Sequence, residues 1–213
     1  MKKEKGYFDI DADFEALVEL GRSSIEEVLL VKDMQQRKMW LNEGIDITAV
    51  AGIIHNIYQY NSEDNGIPVE KRKPILLYLS SNGGDIDAGF ALIDAIQTSK
   101  TPVYTINTGY QYSMGFLIGL AGAKRFAMPN ATFLMHDGSN FIWTSGSKAQ
   151  DQAEFNRRVE ARVKQYILDH SQLTAKEYDK KKRVEWYLFA SEAKEKGFVD
   201  QIIGVDCDID SIV

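Results

Sequence analysis

The sequence predicts an α/β fold organised as one domain, and three observations predict it. Strand-like and helix-like stretches alternate through the middle of the chain, the pattern of a sheet covered by helices. Short apolar runs such as Ile75-Leu-Leu-Tyr-Leu79 are bounded by Pro, Asn, Gly and Ser, as buried strands are. No long linker interrupts the alternation. With 213 residues, 44% of them hydrophobic and 26% charged, the chain is long enough for a sizeable core and has an ordinary globular composition.

Taken in order, residues 1–24 are polar and mixed, with an acidic run (Asp9, Asp11, Asp13, Glu15) leading into Ala16-Leu-Val-Glu-Leu20, and read as an arm or a short helix. A single domain is expected over 25–213. Residues 26–31 and 38–41 carry β-favouring side chains and are expected as strands. Ile47, Val50, Ile54, Ile57 and Tyr58 repeat at helical spacing, which predicts a helix over 47–60. A polar loop with Asn65-Gly66 and Pro68 precedes a buried strand at 74–79. Helices are expected over 86–97 and 113–121, and strands at 102–107, 125–128 and 132–136. A long amphipathic helix over 147–170 opens on Ser147-x-x-Gln150, and a second capping box, Thr174-x-x-Glu177, opens another helix. A short helix should stop at Gly197, followed by a strand at 198–203.

The formal net charge is −6, which argues against nucleic acid as the main partner and gives no reason to expect anionic membranes. The one cysteine, Cys207, fits a reducing compartment and rules out a cysteine-based zinc cage. The N-terminus has no apolar core after its lysines, so it is not read as a secretory signal. The most apolar window, 109–123, is too short and too broken by Gly to span a membrane. The expectation is a cytoplasmic protein with no cofactor and no metal.

Three features converge on chemistry. Ser113 follows a strand and opens a helix in Gly109-Tyr-Gln-Tyr-Ser-Met-Gly115; a serine there lies beside unpaired backbone N–H groups, and a nearby base would make it a nucleophile. The same placement also describes a simple helix cap. His136 ends a short strand, and of the three histidines it is the candidate base in the α/β centre, His55 and His170 lying in helices. Gly83-Gly84 after the strand ending near Ser80 is either a tight turn or an approach of backbone N–H to an oxyanion, with the Met114 amide as the natural second donor. The nearest preceding Gly lies four residues before Ser113, so the nucleophile-elbow pattern of α/β-hydrolases does not apply.

These residues resemble the proteolytic subunit of the Clp ATP-dependent proteases, from about 75 to 203. The resemblance is dense in Ser80-Ser-Asn-Gly-Gly-Asp-Ile-Asp-Ala-Gly89, in Gly109 to Gly115, in Gly122-Ala-Lys-Arg-Phe126, in Pro129-Asn130 and in Met135-His136. It implies the ClpP/crotonase fold of repeated ββα units with a projecting handle helix at about 147–170. It also implies a serine endopeptidase acting on unfolded polypeptides, with Ser113 as nucleophile, His136 as base, and the amides of Gly83 and Met114 as oxyanion hole. Stacked heptameric rings, a tetradecamer, and an AAA+ unfoldase as partner come with it.

Where the family carries its triad Asp, in a segment like Arg-Asp-Arg-Phe-Leu-Ser-Ala, alignment on Tyr187-Leu-Phe-Ala-Ser-Glu-Ala193 places Glu185. Asp179 is the fallback acid. Asn82 stands for the family's Pro, and Asp137-Gly138 for its Gln-Pro. Tyr112 stands for a small residue, and its bulk is expected to crowd the pocket. Glu185 and Tyr112 motivate one alternative, a weak or inactive ring subunit; the shared fold type motivates another, a crotonase-type acyl-CoA enzyme.

Overall fold

The computed structural model describes residues 25–137 and 146–212. The expected N-terminal arm lies outside the described residues, and so does the side chain of Ser147 on which the first capping box depends. The chain divides into two compact units, residues 1–38 and 39–213.

In the first unit the structure overturns one expectation. Residues 26–31 are not a strand but part of helix α1 (Ile25–Gln35). The apolar run Val28-Leu-Leu-Val31 is too short for its periodicity to separate strand from helix. It is flanked by Glu26, Glu27, Lys32, Asp33, Met34 and Gln35, mostly good helix formers, which decide the matter. Arg37 adopts φ 61°, and its N–H donates to the Met34 carbonyl at 2.9 Å, closing the turn.

Next come β1 (Lys38–Leu41), α2 (Ile47–Glu63), β2 (Ile75–Ser81), α3 (Ile86–Thr98), β3 (Val103–Tyr112), α4 (Met114–Leu120), β4 (Lys124–Ala127) and β5 (Thr132–Met135). After the undescribed stretch come α5 (Gly146–Asp169), α6 (Ala175–Lys181), β6 (Trp186–Phe189), α7 (Ala190–Glu195) and β7 (Gln201–Ile202). Among the described residues seven strands form one sheet in the order β1-β2-β3-β4-β7, with β5 pairing β3 and carrying β6. The β2–β3, β3–β4, β3–β5 and β4–β7 ladders are parallel, while β6 runs antiparallel to β5. This is the mixed α/β fold expected of the sequence.

The period-2 geometry of β2 explains its near-continuous apolar sequence. Ile75, Leu77 and Leu79 enter the main core with Val50, Ile53 and Ile57 of α2 and Leu92, Ile93 and Ile96 of α3. Leu76 faces the other way, into a second cluster with Ile106, Phe126, Ile203 and Ile212.

Strand β3 runs five residues beyond its expected end, and that extension builds the site. Its first half pairs β4 through Asn107, and its second half pairs β5 from Tyr110 to Tyr112. Asn107, fully buried, holds the fork: its side-chain amide donates to the Thr132 carbonyl at 2.9 Å and its Oδ1 accepts from the Gly109 N–H at 3.0 Å.

The late signals behave as their chemistry dictates. Thr174 and Glu177 form a reciprocal capping box at the start of α6. After α7 the chain turns at Gly197, φ 71°, and the Phe198 N–H returns to the Ala193 carbonyl at 2.9 Å. The expected strand at 198–203 is shorter: Phe198 and Val199 are core residues, and Gln201–Ile202 alone form the ladder. Helix α5 packs its C-terminal half on the body through Val163, Tyr166, Ile167 and Leu168. The Tyr166 hydroxyl donates to the Leu117 carbonyl at 3.0 Å, and burial pushes its pKa up.

Candidate active site

Ser113 stands at the junction of β3 and α4 with φ 54° and ψ −120°. For a non-glycine residue this is a strained conformation that costs roughly 1–3 kcal/mol and must be held by its surroundings. Three bonds hold it: its N–H donates to the Leu134 carbonyl at 3.0 Å, and its own carbonyl accepts from Phe116 and Leu117 N–H at 3.1 and 3.3 Å. The side chain makes no capping hydrogen bond, and the positive φ is not that of an N-cap residue. The capping alternative for Ser113 therefore falls away.

Gly83 packs directly against this turn. It has φ 94°, and a Cβ there would lie 2.8 Å from Ser113 Cβ and 2.9 Å from Met114 N; only glycine allows that approach. The Gly83 N–H donates to Ser81 Oγ at 3.1 Å, and that buried hydroxyl donates onward to the Glu43 carbonyl at 2.6 Å. Met114 begins α4, where first-turn N–H groups lack intrahelical acceptors. Both expected oxyanion donors thus flank Ser113, with the Gly83 amide engaged by Ser81.

His136 follows β5, and the Asp137 N–H fastens that end to the Lys182 carbonyl at 2.7 Å. The β5–β6 register pairs Met135 with Trp186. In an antiparallel ladder the next step sets residue 136 opposite residue 185, close enough for long side chains to meet. They do meet: His136 Nδ1 lies 2.9 Å from Glu185 Oε1. The second carboxylate oxygen, Oε2, accepts from the Tyr187 hydroxyl at 3.2 Å, and this bond is the main cause that raises the Tyr187 pKa. His136 Nε2 is buried and has no hydrogen-bond partner among the described residues.

Ser113 and His136 line one cavity of about 230 Å³. Its walls are largely apolar, with Ile86, Leu117, Met135, Val159, Val163 and Ile167 contributing, and Lys164 and Lys182 among its polar members. Tyr178, also on this wall, has its pKa raised to about 12 by burial. The structure therefore joins His136 to Glu185 and sets Ser113 on the same cavity wall, without a hydrogen bond from Ser113 to Nε2.

The remaining expectations sort plainly. Asp179, the fallback acid, is bound through both oxygens to Lys164 Nζ at 2.8 Å. His55 is exposed on α2. His170 is engaged by the Tyr166 carbonyl at 2.8 Å through Nδ1. Tyr112 does not line the cavity; its hydroxyl lies 2.9 Å from Thr132 Oγ1 and its ring meets that of Tyr187. The crowding expected of it does not occur. Sequence chemistry alone does not mark Tyr187 or Ser81 as site residues; the signal for Tyr187 is its place two residues from Glu185, on the same face of an extended segment. Among the described residues no cluster of His, Cys, Asp and Glu is grouped to hold a metal ion, and no helix is long and apolar enough to cross a membrane.

Comparison with known proteins covers most of the chain. The Clp protease family model matches residues 24–206. ATP-dependent Clp protease proteolytic subunit 2 of Treponema pallidum (strain Nichols) is 28% identical over 86% of this chain and 90% of its own length. The protein of the same name from Tropheryma whipplei (strain Twist) is 30% identical over 84% of this chain and 98% of its own. That from Treponema denticola (strain ATCC 35405 / DSM 14222 / CIP 103919 / JCM 8153 / KCTC 15104) is 34% identical over 85% and 89%. The chain belongs to the Clp protease family and is a serine-type peptidase built on that family's α/β fold.

Proposed function

We propose that this chain is the proteolytic subunit of an ATP-dependent protease, in which Ser113, His136 and Glu185 form the catalytic triad. The observation that carries this reading is the 2.9 Å contact of Glu185 with His136, whose ring lines the same cavity as the strained Ser113 turn. Glu185 accepts from Nδ1–H, which leaves Nε2 as the basic nitrogen. Ser113 Oγ attacks the substrate carbonyl carbon as Nε2 takes its proton. The carbonyl oxygen, now an anion, is met by the Met114 amide and by the Gly83 amide, which exchanges Ser81 Oγ for the substrate. The proton on Nε2 then passes to the departing amine, and water, deprotonated by the same nitrogen, clears the acyl-enzyme.

For the first step Ser113 Oγ and His136 Nε2 have to close to hydrogen-bond distance. A buried, unpartnered nitrogen carries a desolvation cost of about 1–3 kcal/mol, so this closure is favoured once substrate or assembly sets the serine rotamer. The apolar cavity fits an apolar substrate side chain next to the scissile bond.

Assembly into stacked heptameric rings, with an AAA+ unfoldase supplying unfolded chains and the whole in the cytoplasm, completes the proposal. Its supports are the relatives' names, which specify an ATP-dependent protease, and the exposed Phe155 on the N-terminal half of α5. Nothing in the geometry favours a silent ring subunit or an acyl-CoA enzyme. Turnover of a fluorogenic peptide by the intact oligomer, abolished in Ser113→Ala, is the expected result. Turnover of an acyl-CoA thioester with no peptide cleavage would contradict it.

A further inference from the structure

The triad acid of the reading above is a glutamate with a long, rotamer-rich side chain, 58% exposed. A carboxylate so placed has many orientations that do not meet His136, and one hydrogen bond to an imidazole does not select among them. We propose that Tyr187 is the positioning residue of this site: its hydroxyl holds Glu185 Oε2 and thereby presents Oε1 to His136 Nδ1.

Three observations carry the proposal. The first is the two-point hold on one carboxylate, Oε1 at 2.9 Å from His136 Nδ1 and Oε2 at 3.2 Å from the Tyr187 hydroxyl. The second is its placement: Glu185 and Tyr187 are two apart on an extended segment, so their side chains leave the same face. The third is that Tyr187 is itself braced. Tyr187 pairs Leu134 of β5, and Leu134 pairs Tyr112 of β3, so the three lie in one row across the sheet. The Tyr112 and Tyr187 rings meet edge to face, 85° apart in plane with centroids 5.7 Å apart. Tyr112 is fixed in turn by Thr132 Oγ1 and by Tyr110, whose ring centroid lies 5.2 Å away. The bulky residue before the nucleophile thus serves the acid on the far side of the base. A phenol donating to Glu185 resists losing its proton, which agrees with the raised pKa of Tyr187 and keeps the donor present at neutral pH.

This inference rests on Glu185 being the triad acid, and the test separates the two. Tyr187→Phe keeps the ring against Tyr112 and removes the hydroxyl alone. In intact oligomer it is expected to lower kcat for a peptide by about threefold to tenfold with KM within about twofold, because orientation of the base is lost and substrate binding is not. The same change is made in a Glu185→Ala background, with the rate of acylation by a fluorophosphonate as readout. No further loss is expected there, since the hydroxyl acts through the carboxylate. Parental kcat in Tyr187→Phe, with Glu185→Ala strongly impaired, overturns the inference and leaves the triad standing. An equal loss in both backgrounds also overturns it, by showing a role independent of Glu185. Parental activity in Glu185→Ala removes the triad assignment and this inference together.

Discussion

Shortening Glu185 to Asp withdraws the carboxylate by one C–C bond, about 1.5 Å. With the β5–β6 ladder holding the backbone, the contact with His136 Nδ1 opens from 2.9 Å to about 4 Å, beyond hydrogen-bond range. The bond from Tyr187 is lost with it. A hydrogen bond to a charged group contributes about 1.5–3 kcal/mol when shielded. This carboxylate is 58% exposed, so water and salt weaken the contribution to about 1–2 kcal/mol. At about 1.4 kcal/mol per tenfold in rate, Glu185→Asp should lower kcat by about fivefold to thirtyfold, with little change in KM. The assay is steady-state hydrolysis of a fluorogenic peptide by variant protein of unchanged oligomeric size. Parental kcat in Glu185→Asp would refute the reasoning, because the histidine would then not depend on a carboxylate at this reach.

Gly83→Ala places a Cβ within 3 Å of Ser113 Cβ and Met114 N at φ 94°, displacing the proposed oxyanion donors. A fall in kcat of about 100-fold or more is expected, with peptide hydrolysis and thermal melting followed together to separate a catalytic effect from unfolding. Thr174→Ala removes the capping box of α6 and should cost about 1 kcal/mol, read as a melting midpoint lower by about 2–4 °C. The bond from the Thr174 N–H, first among several, holds the Glu177 carboxyl below its ordinary range. Thr174→Ala keeps that backbone bond and removes the hydroxyl's bond to the same carboxylate, a smaller cause of the shift. The hydroxyl's share is present above the ordinary range of a glutamate and is lost as pH falls through the depressed folded value, so the gap between parent and variant should narrow in part in acid.

Most of the architecture was legible where local chemistry and tertiary packing agree. The apolar run of β2, the spacing in α2 and the Thr174–Glu177 box each carry a signal that the fold preserves. Residues 26–31 are ambiguous in sequence because a short apolar run fits either secondary structure, and the helix-forming flanks settle it. Strand β6 carries no alternating signal because all four residues, Trp186-Tyr-Leu-Phe189, are apolar or aromatic, although their burial alternates in the sheet. Within the site, Ser113, His136 and the Gly83 turn were readable from chain order and residue chemistry, and Glu185 from family resemblance. The β5–β6 register that sets residue 136 opposite 185 is a long-range pairing with no local trace. The same holds for Tyr112, whose ring partner depends on the β3–β5–β6 register that puts it in one row with Leu134 and Tyr187. The extension of β3 beyond Asn107 depends on a buried side-chain amide bonding a strand 25 residues away.

Covalent labelling of Ser113 tests the central claim most directly. Intact oligomer is treated with a fluorophosphonate, the adduct is located by peptide mapping, and the reaction is repeated with His136→Ala. The account predicts one adduct per chain on Ser113 Oγ, formed far more slowly without His136, because the histidine removes the serine's proton. No adduct in an assembled ring, or one on another residue, would contradict it.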